Sequence, residues 1–232
     1  MQQHVVAIIP ARGGSTGIPR KNLKTVGGKP LVVHAVEHAR DAETVGLAVV
    51  TSDDEEIRSV AAGAGALVLG RPDEFAHDRT WQEVDRLLVW VVGELEARKI
   101  PVDVVVLLYP TAPLRRPEFV DQAVRLVTEG GCDSALSLYR DMRYLWEVVD
   151  GSPRPTNYLP CERMPRQMEG WNQWAENKAV YAVRRELLVR TGCRIGGRVG
   201  YVEMPKWMSI DVDTPQDLEL AEYIYRARVE GK

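Results

Sequence analysis

The sequence predicts an α/β domain with a mostly parallel sheet covered on both faces by helices. Three observations carry that reading. Apolar runs alternate with amphipathic stretches from Val5 to Tyr139. The run Val102 to Leu108 is almost wholly apolar and β-branched, as a parallel strand buried on both faces requires. The first run, Val5 to Ile9, opens directly into a long basic loop, and open α/β sheets bind ligands just beyond their strand ends.

Taken in order, the elements justify themselves locally. Val5 to Ile9 is a strand, and Pro30 to Arg40 an amphipathic helix. His34 and His38 lie four apart on that helix, a metal-ligand spacing with no third ligand evident nearby, so a packed face is expected instead. Leu47 to Thr51 is the second strand. It ends in Ser52-Asp53-Asp54-Glu55-Glu56, which reads as a helix N-cap with acids in the first turn. Ala66 to Leu69 is a third strand, and Trp81 to Arg98 a helix. Glu118 to Thr128 is another helix, followed by strands at Ser134 to Tyr139, Glu176 to Tyr181 and Val199 to Met204, and a closing helix from Leu218 to Arg228. Between 140 and 175 the alternation stops and proline, tryptophan and arginine become frequent, the pattern of a β-ribbon or arm leaving the core. Trp146, Trp171 and Trp174 are then available for a partner surface.

Composition bounds the function. The 232 residues suffice for one large domain, 1–232, with a sizeable core. A net charge of −3 makes the basic loop a local feature and argues against a general nucleic-acid surface. No apolar run has membrane length and no leader pattern precedes Val5, so no membrane partner is expected. Three widely spaced cysteines form neither a disulfide framework nor a zinc pattern, which suits a reducing cytoplasm.

The chemistry begins at Ala11-Arg12-Gly13-Gly14-Ser15-Thr16-Gly17-Ile18-Pro19-Arg20-Lys21-Asn22. Glycines at 13, 14 and 17 let the backbone approach a ligand and turn its N–H groups inward. Arg12, Arg20, Lys21 and Lys24 surround the same loop with positive charge, so a polyanion such as a nucleoside triphosphate is the simplest ligand. It is not a Walker A loop, which needs Gly-Lys-Ser/Thr, and G-x-G-x-x-G is missing too. Near the other end, alternation puts Asp211 and Asp213 on one side of an extended segment. Paired carboxylates repel unless a cation lies between them, and Mg²⁺ prefers oxygen ligands. The same stretch also reads as a helix cap, Asp213 or Thr214 before Pro215, with Asp217 in the first turn. The two readings are compatible, with Asp213 nearer the cap and Asp211 nearer the metal.

These residues resemble the acylneuraminate cytidylyltransferase family. The carriers are Ile-Pro-Ala-Arg-Gly-Gly-Ser-x-Gly-Ile-Pro-Arg-Lys-Asn at 9–22, Gly-Lys-Pro-Leu at 28–31, Pro110-Thr111 with Pro113-Leu114-Arg115, Glu176-Asn177 with Ala179 and Tyr181, and Asp211-Val212-Asp213-Thr214. The resemblance implies a Rossmann-like nucleotidyltransferase fold, CTP as nucleotide, Mg²⁺ or Mn²⁺ on Asp211 and Asp213, and a homodimer built through the 140–175 arm. It implies nucleotide contacts from Ala11, Arg12, Gly13, Gly14, Ser15, Lys21, Asn22, Arg71, Asp78 and Thr80. It places Tyr109, Arg163, Arg166, Gln167, Asn177 and Lys178 around a small anionic acceptor, and gives Arg12, Lys21 and Asp211 catalytic roles.

The sequence departs from the family pattern at three places. Tyr109 replaces a glutamine near the sugar, Ala112 replaces a serine, and Lys178 replaces a glycine. The default acceptor is a 2-keto-3-deoxy nonulosonic acid such as a sialic acid. No histidine lies in any motif and Glu176 is the one loose candidate for a general base, so a small phosphonate, already ionised near neutral pH, is the rival acceptor. A non-catalytic nucleotide-binding regulator and a sugar-1-phosphate nucleotidyltransferase are the remaining alternatives.

Overall fold

The computed structural model describes residues 3–15, 17–75, 83–162 and 171–230. Its centre is a seven-stranded sheet of β1 (Val5–Pro10), β4 (Leu47–Ser52), β5 (Leu67–Gly70), β6 (Val104–Leu107), β7 (Ser134–Arg140), β10 (Trp174–Arg184) and β11 (Val199–Glu203). The spatial order is β11-β7-β10-β6-β1-β4-β5. Only β10 runs antiparallel, between β6 and β7. Two small hairpins stand apart: β2 (Thr25–Val26) with β3 (Lys29–Pro30), and β8 (Trp146–Val149) with β9 (Ser152–Pro155).

Helices α1 (Leu31–Arg40), α2 (Glu55–Gly63), α3 (Glu83–Ala97), α4 (Pro117–Thr128), α5 (Arg185–Thr191) and α6 (Pro215–Tyr225) connect or close the strands. Side-chain alternation on β1 divides the core. Val5, Ala7 and Ile9 pack with Val32, Ile57 and Val124 of α1, α2 and α4. Val6 and Ile8 pack on the other face, with Leu88 of α3 and Leu188 of α5. Both faces of β1 are thus buried, which is why its sequence is a continuous apolar run rather than an alternating one. Truncating Ile8, which is fully buried, to alanine should cost about 2–5 kcal/mol.

This topology positions the site. The chain moves outward from β1 to β4 and β5, then returns through α3 to β6 on the opposite side of β1. Strand order therefore reverses at β1, and the carboxyl end of β1 opens into the crevice that such a reversal leaves. The basic loop occupies that end. Gly17 permits its path: a Cβ there would lie 2.2 Å from the Asp213 carbonyl oxygen, so the loop lies directly on the 211–214 segment. Gly27 and Gly28, with φ of 57° and 71°, make the left-handed turn between β2 and β3. Glu222 of α6 accepts a hydrogen bond from the Gly27 N–H.

The expected elements are present with shifted ends, and three features differ. The segment after β9 rejoins the sheet as the antiparallel β10. The short helix α5 follows it directly. The arm contains the β8–β9 hairpin, but Trp171 is buried and donates its indole N–H to the Asp141 carbonyl at 2.8 Å. Trp171 therefore belongs to its own chain's core, not to a partner surface. Trp174 packs against Tyr201 with ring centroids 5.3 Å apart, and Trp146 remains half exposed at 50%. The helix face with His34 and His38 is packed: both are shielded, and His34 Nε2 lies 2.8 Å from the Val26 carbonyl oxygen. No group of three or more metal-binding side chains forms among the described residues. No helix among them is long and apolar enough to cross a membrane.

Candidate active site

The basic loop and the turn after β6 enclose a cavity lined by Arg12, Ser15, Lys21, Asn22, Arg71 and Tyr109. Local structure explains each position. Pro10 ends β1, and the Ala11 N–H extends the ladder by donating to the Thr51 carbonyl at 3.0 Å. Asn22 is buried and donates from Nδ2 to the Arg12 carbonyl at 2.8 Å, bracing the two ends of the loop against each other. Its amide nitrogen is thus committed to the protein. Arg71 is buried at the end of β5, with guanidinium contacts to the carbonyls of Thr51 and Phe75 at 3.3 and 3.4 Å.

The phosphate-cradling role expected of Gly13 to Ser15 meets an internal competitor. The Gly13 N–H donates to Asp53 Oδ1 at 2.8 Å, and the Ser15 N–H donates to the Gly13 carbonyl at 3.1 Å. A carboxylate oxygen thus stands where a phosphate oxygen would accept the Gly13 bond. Arg20, expected among the loop cations, turns away: it pairs with Glu56 at 2.7 Å and Asp54 at 3.3 Å at the start of α2. Asp54 is itself the N-cap of α2, accepting from the Ile57 N–H, as its acidic turn predicts.

At the other edge, Thr214 caps α6 in a reciprocal capping box with Asp217, and Pro215 begins the helix. The two aspartates before the cap are free of that duty in their side chains. Lys21 Nζ lies 2.8 Å from Asp213 Oδ1. Lys178 Nζ lies 2.8 Å from Asp211 Oδ2 and 3.9 Å from Asp213 Oδ2. Both carboxylates therefore face one side, converging on a single ammonium. Partial burial pushes the Asp213 carboxyl upward, but the hydrogen bond and charge of Lys21, with Lys178, outweigh it and hold Asp213 below its ordinary range. The hydrogen bond to Asp211 raises the Lys178 ammonium above its ordinary value.

Lys178 reaches this position through a bulge. The β10–β7 register jumps between Glu176 and Tyr181, and Lys178 sits in the left-handed region with φ of 57°. Asn177 inside the bulge is buried, accepts from Ser137 Oγ at 2.6 Å and donates to Ser209 Oγ at 3.0 Å. Expected against an acceptor, the amide anchors the bulge, because the kink turns it into the core. The fully buried Arg115 braces the same bulge, donating to the Ala179 carbonyl at 2.7 Å and the Tyr109 carbonyl at 3.2 Å. Burial lowers the Arg115 guanidinium to about 9. Glu176 accepts from the Tyr181 hydroxyl.

A second cleft opens beside Asp211, lined by Tyr139, Arg143, Lys206, Trp207 and Ser209. None of these five stands in a motif, so the sequence offered no signal for them. Arg143 is held by Asp141 at 2.8 Å, and the Lys206 ammonium lies 5.9 Å from the Tyr139 ring centroid. Tyr109, expected at the acceptor, lines the first cavity, because the turn after β6 faces the basic loop. Asp78, Thr80, Arg163, Arg166 and Gln167 lie outside the described residues.

A sheet that reverses at a basic glycine-rich loop, facing a carboxylate pair, is the architecture of the nucleotidyltransferases. The chain belongs to the cytidylyltransferase family, whose model matches residues 6–229. It is 34% identical over 224 residues to N-acylneuraminate cytidylyltransferase A of Danio rerio, covering 95% of this chain and 50% of that protein. It is 35% identical over 251 residues to 3-deoxy-manno-octulosonate cytidylyltransferase of Anaeromyxobacter dehalogenans, covering 97% and 99%. A solved CMP:2-keto-3-deoxy-manno-octonic acid synthetase complexed with CTP shares the fold at a TM-score of 0.68 and 21% identity, over 98% of this chain and 100% of that one. The chain spans about half the length of the N-acylneuraminate cytidylyltransferases it matches.

Proposed function

We propose that the protein transfers CMP from CTP to a 2-keto-3-deoxy sugar acid such as a sialic acid, releasing pyrophosphate. One observation carries this reading: Lys21, which lines the first cavity, and Asp211, which lines the second, are joined by an unbroken chain of charge, Lys21–Asp213–Lys178–Asp211. The first cavity takes the nucleotide and the second the acceptor, so the α-phosphorus and the attacking oxygen meet at that chain. Arg12 and Lys21 offset charge on the triphosphate and on the departing pyrophosphate. The acceptor carboxylate sits near Arg143 and Lys206. Positioning and charge stabilisation supply most of the rate, because phosphoryl chemistry asks little covalent participation of the protein.

The aspartate pair fits Mg²⁺ or Mn²⁺. Two carboxylates converging on one ammonium present hard oxygen donors to a single cation, and two ligands suit an ion that keeps waters and substrate phosphate oxygens. When bound, such an ion polarises phosphate oxygens as a Lewis acid.

The test is pyrophosphate release from CTP with Mg²⁺ against sialic acids, shorter 2-keto-3-deoxy sugar acids and small phosphonates. Release with a sugar acid supports the reading. Release with phosphonates alone moves the acceptor to that class. Tight CTP binding without release from any acceptor makes the chain a nucleotide-binding regulator.

A further inference from the structure

We propose that Lys178 is a tethered cation that occupies the carboxylate pair and makes divalent-metal binding depend on the nucleotide. The inference rests on the metal reading given above. Three observations support it. The ammonium bridges the pair, at 2.8 Å from Asp211 and 3.9 Å from Asp213, where an ion held by both carboxylates would sit. Lys21 holds the remaining oxygen of Asp213 at 2.8 Å, so two carboxylates face two ammoniums and the cluster carries no net charge. A free divalent ion therefore finds little attraction there. The backbone is also bent to deliver this side chain: Lys178 takes φ of 57° within the bulge, a region that residues other than glycine, asparagine and aspartate rarely adopt. Such strain persists where the surroundings enforce it, here through buried Asn177 and Arg115.

The triphosphate changes the balance. It brings negative charge to the Lys21 side of the cluster and supplies oxygens that two carboxylates alone do not. Lys178 would then leave the pair, and Asp211 and Asp213 would hold the divalent ion. Lys178 is 55% exposed in its side chain, so it can swing aside into solvent without breaking the core.

The test is Mn²⁺ binding to the full chain, followed by electron paramagnetic resonance and calorimetry, with and without CTP. Lys178→Gly and Lys178→Asn both suit a positive φ and keep the bulge. Without CTP, each should bind Mn²⁺ more tightly than wild type by on the order of tenfold, the effect of removing one close like charge. With CTP the difference should shrink. Lys178→Arg should stay as weak as wild type. Asp211→Asn identifies the site, since it should abolish the gained affinity. Equal Mn²⁺ affinity in wild type and Lys178→Gly, with CTP-dependent binding still lost in Asp211→Asn, would overturn the tethered-cation role and leave the metal reading standing. Binding that Asp211→Asn never alters would overturn both.

Discussion

Lys21 Nζ lies 2.8 Å from Asp213 Oδ1 and joins the first loop of the chain to its last, across 192 positions of sequence. The pair ties the first cavity to the carboxylates. Lys21 is largely shielded, with 14% of its side chain exposed, so its charge acts in a water-poor setting.

Lys21→Met should therefore lower kcat for CMP transfer by about 10²–10³, equivalent to roughly 2.7–4 kcal/mol of barrier. Steady-state pyrophosphate release measures it. A rate within about threefold of wild type would remove Lys21 from the charge-stabilising role.

Asp211→Ala should abolish metal-dependent turnover and leave the fold intact. The lost partner, Lys178, is more than half exposed, and an exposed ion pair is worth about 0–1 kcal/mol. Turnover and thermal melting on the same sample separate the two effects. Wild-type turnover would end the metal assignment, and a collapsed melt would make the aspartate structural.

Gly17→Ala probes the contact between loop and carboxylate segment. The added Cβ would fall 2.2 Å from the Asp213 carbonyl oxygen, so one of the two segments must move. A stability loss of about 1–3 kcal/mol in urea is expected, with weaker CTP binding. Unchanged values in both measurements would mean that the loop does not lie on Asp213.

His38 should make the fold sensitive to acid. Burial holds its imidazole neutral well below the ordinary histidine value, and burial lowers His34 as well. Below about pH 6.5 the unfolded chain takes up protons that the folded chain refuses, so stability falls as pH falls through that value. His38→Leu removes part of this slope and also removes a buried Nδ1 without a partner. Melting temperatures between pH 7.5 and 5 should therefore converge for the variant. An identical slope would assign the acid sensitivity to other groups.

Local pattern made the sheet strands, the helix cap before Pro215 and the basic loop legible, since each is written within a dozen residues, though the choice of Thr214 over Asp213 as the cap came only with the structure. Strand direction is not local: nothing in the apolar pattern of 174–184 distinguishes an antiparallel neighbour from a parallel one. The second cleft was hidden for the same reason, because Tyr139 and Arg143 at the end of β7 meet Lys206, which follows β11 much further along the chain. Lys178 was visible as an unexpected cation, but its partner, Asp211, lies 33 residues on and is reached only through the bulge. The contact of Asp53 with the Gly13 N–H was likewise invisible, since the acids at 53–56 read as a helix start.

The buried Arg115 holds the carbonyls of Tyr109, in the turn after β6, and Ala179, in the β10 bulge. It grips main chain and ignores the side chains at 109 and 178. Frame and chemistry are therefore separately editable. A library randomised at those two positions could vary the lining of the first cavity and the cation at the carboxylate pair while one guanidinium keeps the scaffold in register.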